Sequence, residues 1–388
     1  MLNKNKRSEL IRETDWILLL LCAAASAFGI LMVHSATIVD IEGGAPISRD
    51  TRTMILAVLM GIVLSVAISL IDYNFITKLY PLIGAVSILL MLVLFIPGVG
   101  VGPAERQDAK TWIKIGSALY FQPSELVKIG FIITFGMHLD LVSDRLREIK
   151  QLIFLCIHGM VPVGLVILSG DLGSALVFMA IFIVMMFCAG VQLRYFLIGV
   201  AGVCAAAPGV WYFLFSNTQK ERFLGLIYPD LYKDIMYQQN YGLEAIQHGG
   251  LLGQGLFHGS YTQIGLVPES ENDMIFTCIG EELGLVGCVA CLGLLLLISL
   301  RMIRNGSRSL IKSTELMCYG MATMISFQVL VNIGMCLKIL PVIGITLPFF
   351  SAGGSSNLCI YIGVGLIMSI YRANKEGEIV NLRLMNFD

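Results

Sequence analysis

Pro268-Glu269-Ser270-Glu271-Asn272-Asp273 stands directly before the apolar run Met274-Ile275-Phe276, and Gly280-Glu281-Glu282 follows it. Carboxylates crowded against so apolar a segment are costly to bury, so a specific role is expected of them. Asp273, at the mouth of the run, suits a helix cap, because acids favour that end and Ser270 to Asp273 fits a capping box. A partly desolvated carboxyl at the same place has a raised pKa and suits a general base that takes a proton from a sugar hydroxyl. The two roles are compatible.

Other groups carry weaker chemical signals. In Gln122-Pro123-Ser124-Glu125-Leu126-Val127-Lys128 the proline is preset for a first helical turn and Glu125 lies near the positive helix end. Glu125 and Lys128, three apart, share a face and can pair just below the membrane surface, either lining a polar cavity or only locking helix packing. Pro348-Phe349-Phe350-Ser351-Ala352-Gly353-Gly354-Ser355-Ser356 enters the last apolar run. Its glycines and the hydroxyls of Ser355 and Ser356 suit a phosphate seat at a helix N-terminus, with Lys338 adding positive charge; a serine cap after a glycine turn uses the same residues. Asp171-Leu172-Gly173-Ser174 reads as a plain N-cap. His248 and His258 lack metal-ligand spacing, so zinc is not expected, while a loosely held Mg²⁺ or Mn²⁺ at the carboxylates is compatible with the residues. All ten cysteines lie within or beside apolar runs, and the Cys288/Cys291 pair has no polar neighbour, so no disulfide is expected.

The elements that must hold these residues are membrane helices. Over 388 residues the chain is 56% hydrophobic and 14% charged, with mean hydropathy +0.81. That excludes a soluble globular domain and predicts an all-α integral membrane protein in contact with membrane lipids. A net charge of −1 points to no nucleic acid. About ten transmembrane helices are expected, over 16–36, 54–71, 80–96, 124–139, 151–169, 172–189, 194–214, 274–300, 315–337 and 354–372, forming a single polytopic domain over 1–388. The first is a retained helix rather than a cleaved signal, since no polar mature domain follows. If the N-terminus is cytoplasmic, 16 of the 26 lysines and arginines lie inside, 9 outside, and Lys128 within a span. Both termini are therefore expected in the cytoplasm. The segments 97–123 and 215–273 then lie outside, the second a large extracytoplasmic loop between helices 7 and 8 and too long for a simple connection. Tyr237 to His248 is expected as a membrane-surface helix with Tyr241, Leu243, Ala245 and Ile246 on its apolar side, followed by a mobile or tightly turned stretch with glycines at 249, 250, 253, 255 and 259.

Taken together, the chain resembles the SEDS family, the shape, elongation, division and sporulation proteins of the RodA, FtsW and SpoVE type. The resemblance covers nearly the whole chain: Thr14-Asp15-Trp16, Phe28-Gly29, His34-Ser35-Ala36, Gln122-Pro123-Ser124-Glu125, Asp171-Leu172-Gly173, Pro268-Glu269 with Asn272-Asp273, Gly280-Glu281-Glu282-Leu283-Gly284, and Pro348 to Ser351 with Gly353 to Ser356. Each motif is weak alone, and their order and spacing are specific. The resemblance implies a peptidoglycan glycosyltransferase of the bacterial cytoplasmic membrane, polymerising lipid II at its outer face for elongation, division or sporulation, beside a class B penicillin-binding protein. It places the essential aspartate at Asp273 and the polar cavity at Glu125 and Lys128, with Gln122, Trp112, Glu269, Lys338, Ser355 and Ser356 as further substrate contacts. Three positions depart from the family pattern: Thr111 where an arginine often precedes the tryptophan, Ser169-Gly170 where Gln-Pro is usual, and Met236 where glycine precedes Tyr237-Gln238. The first makes Lys110 or Lys114 a substitute cation. The rival class is a lipid II flippase, whose site is expected near the membrane midplane. A third is a non-catalytic scaffold for a penicillin-binding protein.

Overall fold

The computed structural model describes residues 14–39, 41, 46–102, 109–116 and 119–385, with backbone alone at Ile115, Leu119, Leu214 and 376–385. Lys4, Lys6, Arg7, Arg12 and Arg106, which contribute to the charge asymmetry, lie outside the described residues. Each of the ten apolar runs forms a helix: α1 (Trp16–Ala36), α2 (Arg49–Ser69), α4 (Tyr80–Val93), α5 (Pro123–Leu141), α6 (Ile149–Leu168), α7 (Leu172–Ala189), α8 (Leu193–Gly209), α11 (Ile275–Ser307), α12 (Lys312–Cys336) and α13 (Gly354–Met385). Among the described residues there are three further α-helices, α3 (Tyr73–Lys78), α9 (Asn217–Ile227) and α10 (Lys233–Gly249). Eight of the ten are long and apolar enough to cross a membrane. The exceptions are α4, with 14 residues, and α5, whose 19 residues include Glu125, Lys128 and Asp140. The chain is a helical, multi-pass membrane protein.

Local chemistry sets many boundaries. Asp15 accepts the Leu18 N–H at 3.1 Å and caps α1, while Ser48 caps α2 through the Thr51 N–H. Pro208 removes one α-helical donor near the end of α8, and the chain passes into a π-turn at Val210–Leu214. No described residue of α8 is buried, so this helix stands at the edge of the bundle. The segment 97–123, expected as a loop, contains a small antiparallel sheet of β1 (Gly100–Val101), β2 (Trp112–Ile115) and β3 (Leu119–Phe121), with Val101 opposite Trp112.

Two ties fix α1 along α11. Arg301 and Asn305 donate to Asp15 at 2.9 and 2.8 Å near one end. Near the other, Ser35 donates to the fully buried Glu282 at 2.7 Å. Between Glu282 and Arg301, α11 breaks at Gly284 (φ 63°, ψ −160°). The carbonyls of Glu281 and Glu282 accept from the N–H groups of Gln254 and Gly255, and the N–H groups of Leu285 and Val286 donate to Gly250 and Leu251. A strap of chain therefore satisfies the backbone that the break exposes.

That strap explains the glycines after α10. A Cβ at Gly253, whose φ is +79°, would lie 2.0 Å from the Glu282 carbonyl oxygen. Gly253→Ala is therefore expected to destabilise the protein by more than about 2 kcal/mol, through strain plus a backbone clash, read as a lower Tm in detergent. An unchanged Tm contradicts the strap. The stretch is tightly turned, and the inner side of α10 packs on protein instead of lying free for a membrane surface: its Met236, Gln239, Gly242, Ala245 and Gly249 are buried, while Glu244 and His248 on the other side are exposed. The local cause is close packing, since a Cβ at Gly242 would sit 2.7 Å from the Met274 methyl and 3.0 Å from Thr277 at the start of α11.

Candidate active site

The N-termini of α5, α7, α11 and α13 meet at one end of the bundle. Gln122, just before α5, donates to Asp171 at 2.9 Å, and Asp171 also caps α7 through the Ser174 N–H at 2.9 Å. Asp171 is thus the expected cap and a bridge as well. Ser356, in the first turn of α13, donates to Glu125 Oε2 at 3.2 Å. Glu125 holds Lys128 through Oε1 at 2.8 Å, with the Lys128 side chain 1% exposed. Four positive helix ends and one buried cation on this side favour a bound anion.

Asp273 stands two residues before α11, one of these four helices. The capping interpretation fails here: α11 begins after Met274 with no side-chain cap hydrogen bond, and Asp273 Oδ1 is buried without a partner. The residue as a whole is only partly buried. Burial chiefly, and then the charge of Glu269, push its carboxyl up to about 7; Glu271 adds to this, while a backbone hydrogen bond and the Arg222 guanidinium oppose it. Glu269, exposed and at φ 56°, accepts Asn272 Nδ2 at 2.7 Å. A carboxyl poised near neutrality with an unbonded oxygen can accept a proton from a ligand.

The other carboxylates of the cluster do different work. Glu281 and Glu282 are fully buried. Glu281 accepts the Tyr261 and Thr262 N–H groups at 2.7 and 3.0 Å and the Thr262 hydroxyl at 2.8 Å. Glu282 takes the Phe257 N–H and Gln263 Nε2 besides Ser35. Both anchor the loop rather than face a ligand.

The remaining expected residues are spread around this end of the bundle. Ser355 Oγ is buried with no partner, a second unsatisfied polar atom. Lys338 points to α10, its ammonium donating to Asn240 Oδ1 at 2.7 Å. Trp112 lies on β2, and the chain leading to it is tied to the α6–α7 corner by the Lys110 N–H on the Ser169 carbonyl at 2.8 Å. Among the described residues no three His, Cys, Asp or Glu side chains are placed to share a metal ion.

Three contributors were given no individual role in the sequence expectations. Arg222 on α9 donates to the Val342 carbonyl at 2.8 Å and acts electrostatically on Asp273. Asn332 on α12 donates to the Asp273 carbonyl at 2.7 Å, and Ser351 to the Asn272 carbonyl at 2.7 Å. An amide inside the apolar run 315–337 was the available signal for Asn332, because polar groups at membrane depth seldom lack a task.

Fold and site define a polytopic membrane protein in which a carboxyl raised to about 7 stands at an end of the bundle where several helix N-termini and a buried lysine–glutamate pair are linked. The chain belongs to the FtsW, RodA and SpoVE family of cell cycle proteins, whose model matches residues 15–376. It is 31% identical over 375 residues to the "probable peptidoglycan glycosyltransferase FtsW" of Geobacter metallireducens, covering 93% of this chain and 95% of that one. Over 352 residues it is 31% identical to the peptidoglycan glycosyltransferase MrdB of Escherichia coli K12, covering 89% and 91%. Among solved structures it is similar to a chain of a complex described as "structural coordination of polymerization and crosslinking by a peptidoglycan synthase complex", with TM-score 0.76, 27% identity and 93% and 98% covered. It is also similar to the rod shape determining protein RodA of Thermus thermophilus, with TM-score 0.68, 26% identity and 93% and 97% covered.

Proposed function

We propose that the protein is a peptidoglycan glycosyltransferase that polymerises lipid II at the outer face of the cytoplasmic membrane, with Asp273 as general base. The observation that carries this is Asp273 Oδ1, a buried carboxyl oxygen without a hydrogen-bond partner on a residue that is only partly buried, with burial pushing the carboxyl up to about 7. The 4-hydroxyl of a GlcNAc attacks C1 of the MurNAc on another chain; its proton passes to Asp273, the C1–O bond breaks with inversion, and undecaprenyl pyrophosphate leaves. Lys128, the N-terminus of α13 with Ser355 and Ser356, and Arg222 stabilise the departing charge in this reading. Gln122, Trp112, Glu269 and Lys338 complete the substrate contacts. The lysine and arginine bias supports cytoplasmic termini. Similarity to a synthase complex supports a cross-linking partner of the class B penicillin-binding type.

The lipid tails require grooves between helices. An apolar cavity of about 250 Å³ lies between α4, α5 and α6, lined by Gly84, Met91, Val127, Phe131 and Leu165 among others. Gly84→Phe projects into it and is expected to raise the KM for lipid II about tenfold with kcat preserved, as for the displacement of about two methylenes. An unchanged KM removes this groove from the substrate path.

A lipid II carrier is the second reading, because broken helices such as α11 are common in transporters. Here the Glu281 and Glu282 carbonyls and the Leu285 and Val286 N–H groups beside the break are bonded to the strap, which supports a structural break rather than a cargo site. The deciding experiment supplies lipid II already outside to reconstituted protein: glycan forms if the protein polymerises and does not if it only carries. In the same assay kcat is expected to rise with pH through about 7, since Asp273 is protonated below that value and cannot act as base. A flat profile from pH 5.5 to 8 argues against Asp273 as base.

A further inference from the structure

Asn332 makes two links that join the segment carrying Asp273 to the loop before α13. Fully buried on α12, it donates from Nδ2 to the Asp273 carbonyl at 2.7 Å and to the Ile345 carbonyl at 2.8 Å. Ser351 Oγ donates to the Asn272 carbonyl at 2.7 Å while accepting the Leu347 N–H, and the Ala352 N–H donates to the Glu271 carbonyl at 2.9 Å. Thr346, next to Ile345, lies 3.5 Å from Ser356 Oγ, which donates to Glu125. One side-chain amide therefore connects the backbone of Asp273 to the wall that carries the Glu125–Lys128 pair.

We propose that Asn332 is a positioning residue for glycosyl transfer, setting the separation between the Asp273 carboxyl and that wall through the Asp273 backbone. The inference rests on Asp273 being the general base. An amide in an apolar helix is costly unless both its hydrogens are used, and here both go to carbonyls of two separate loops rather than to its own helix. Its effect on rate follows from geometry, because a displacement of about 1 Å at a reacting group costs about 10²-fold. Leucine keeps the same branched four-atom skeleton, though bulkier, and donates nothing.

The test measures lipid II polymerisation by the full-length protein carrying Asn332→Leu, Ser351→Ala or Asp273→Asn. Asn332→Leu is expected to lower kcat about 10- to 100-fold with KM unchanged. It is also expected to move the acid limb of the pH profile to lower pH, as the released carboxyl reaches water. Ser351→Ala, which loosens the same segment from the loop side, shows a smaller change in the same direction and decides the matter if the leucine variant does not fold. Wild-type kcat overturns the proposal, and so does a lower kcat with an unmoved acid limb, which is what a smaller active fraction alone produces. An active Asp273→Asn enzyme overturns the base assignment and this inference together; an inactive one beside a normal Asn332→Leu enzyme overturns the positioning role alone.

Discussion

Asp273→Asn is expected to abolish polymerisation of purified lipid II while leaving expression and partner binding intact. The amide cannot take the hydroxyl proton, and loss of a positioned base costs about 10²- to 10⁴-fold. The same substitution is expected to leave the fold as stable or more stable. Burial raises the carboxyl from 3.8 to about 7, so between those values the folded chain holds a proton that the unfolded chain has released. Stability therefore falls as pH rises through that window, and at pH 8 the ionised Asp273 is a net cost that the neutral amide removes, on the order of a few kcal/mol. Melting curves at pH 8 and pH 4 check this: the variant's advantage is present at the first and shrinks at the second. Near-normal glycan from the Asn variant removes the base assignment, whatever the melting curves show.

Lys128→Met carries the second largest effect. It leaves Glu125, whose side chain is 7% exposed, buried without its cation, and breaking such a pair costs about 3–5 kcal/mol. Glu125→Gln strands Lys128 in the same way. The double variant removes both charges and is expected to recover about 0.5–3 kcal/mol relative to the sum of the singles. Activity should not recover with it, since the wall then has no lysine to meet the departing pyrophosphate. Thermal melts and lipid II polymerisation on the same preparations separate the two outcomes. Strict additivity of the melts means the side chains do not act as a pair, and a double variant with normal turnover means Lys128 does not meet the leaving group.

Much of the architecture was legible in the residues. The apolar runs mark their helices because a span must bury about 20 apolar residues and satisfy its backbone internally, both local requirements. Asp15, Ser48 and Asp171 mark helix starts because short polar side chains bond the first free N–H groups. The Glu125–Lys128 pair follows from helical spacing alone. What failed was local in form and non-local in cause. Asp273 has the pattern of a cap and makes no cap bond, since its carbonyl is held by Asn332 from another helix. The stretch 237–248 has an amphipathic face, but α11 rather than lipid covers it.

The chain by itself determined a membrane bundle, its apolar runs and the short list of residues able to do chemistry, because hydropathy, capping and spacing act between near neighbours. Only the tertiary structure decided which of the clustered carboxylates does what. Glu281 and Glu282 are occupied by N–H and hydroxyl groups arriving from the loop and α1, whereas Asp273 Oδ1 has no hydrogen-bond partner and feels the Arg222 charge only electrostatically. A carboxylate's role is set by the donors that reach it, and those donors come from segments far away in the chain.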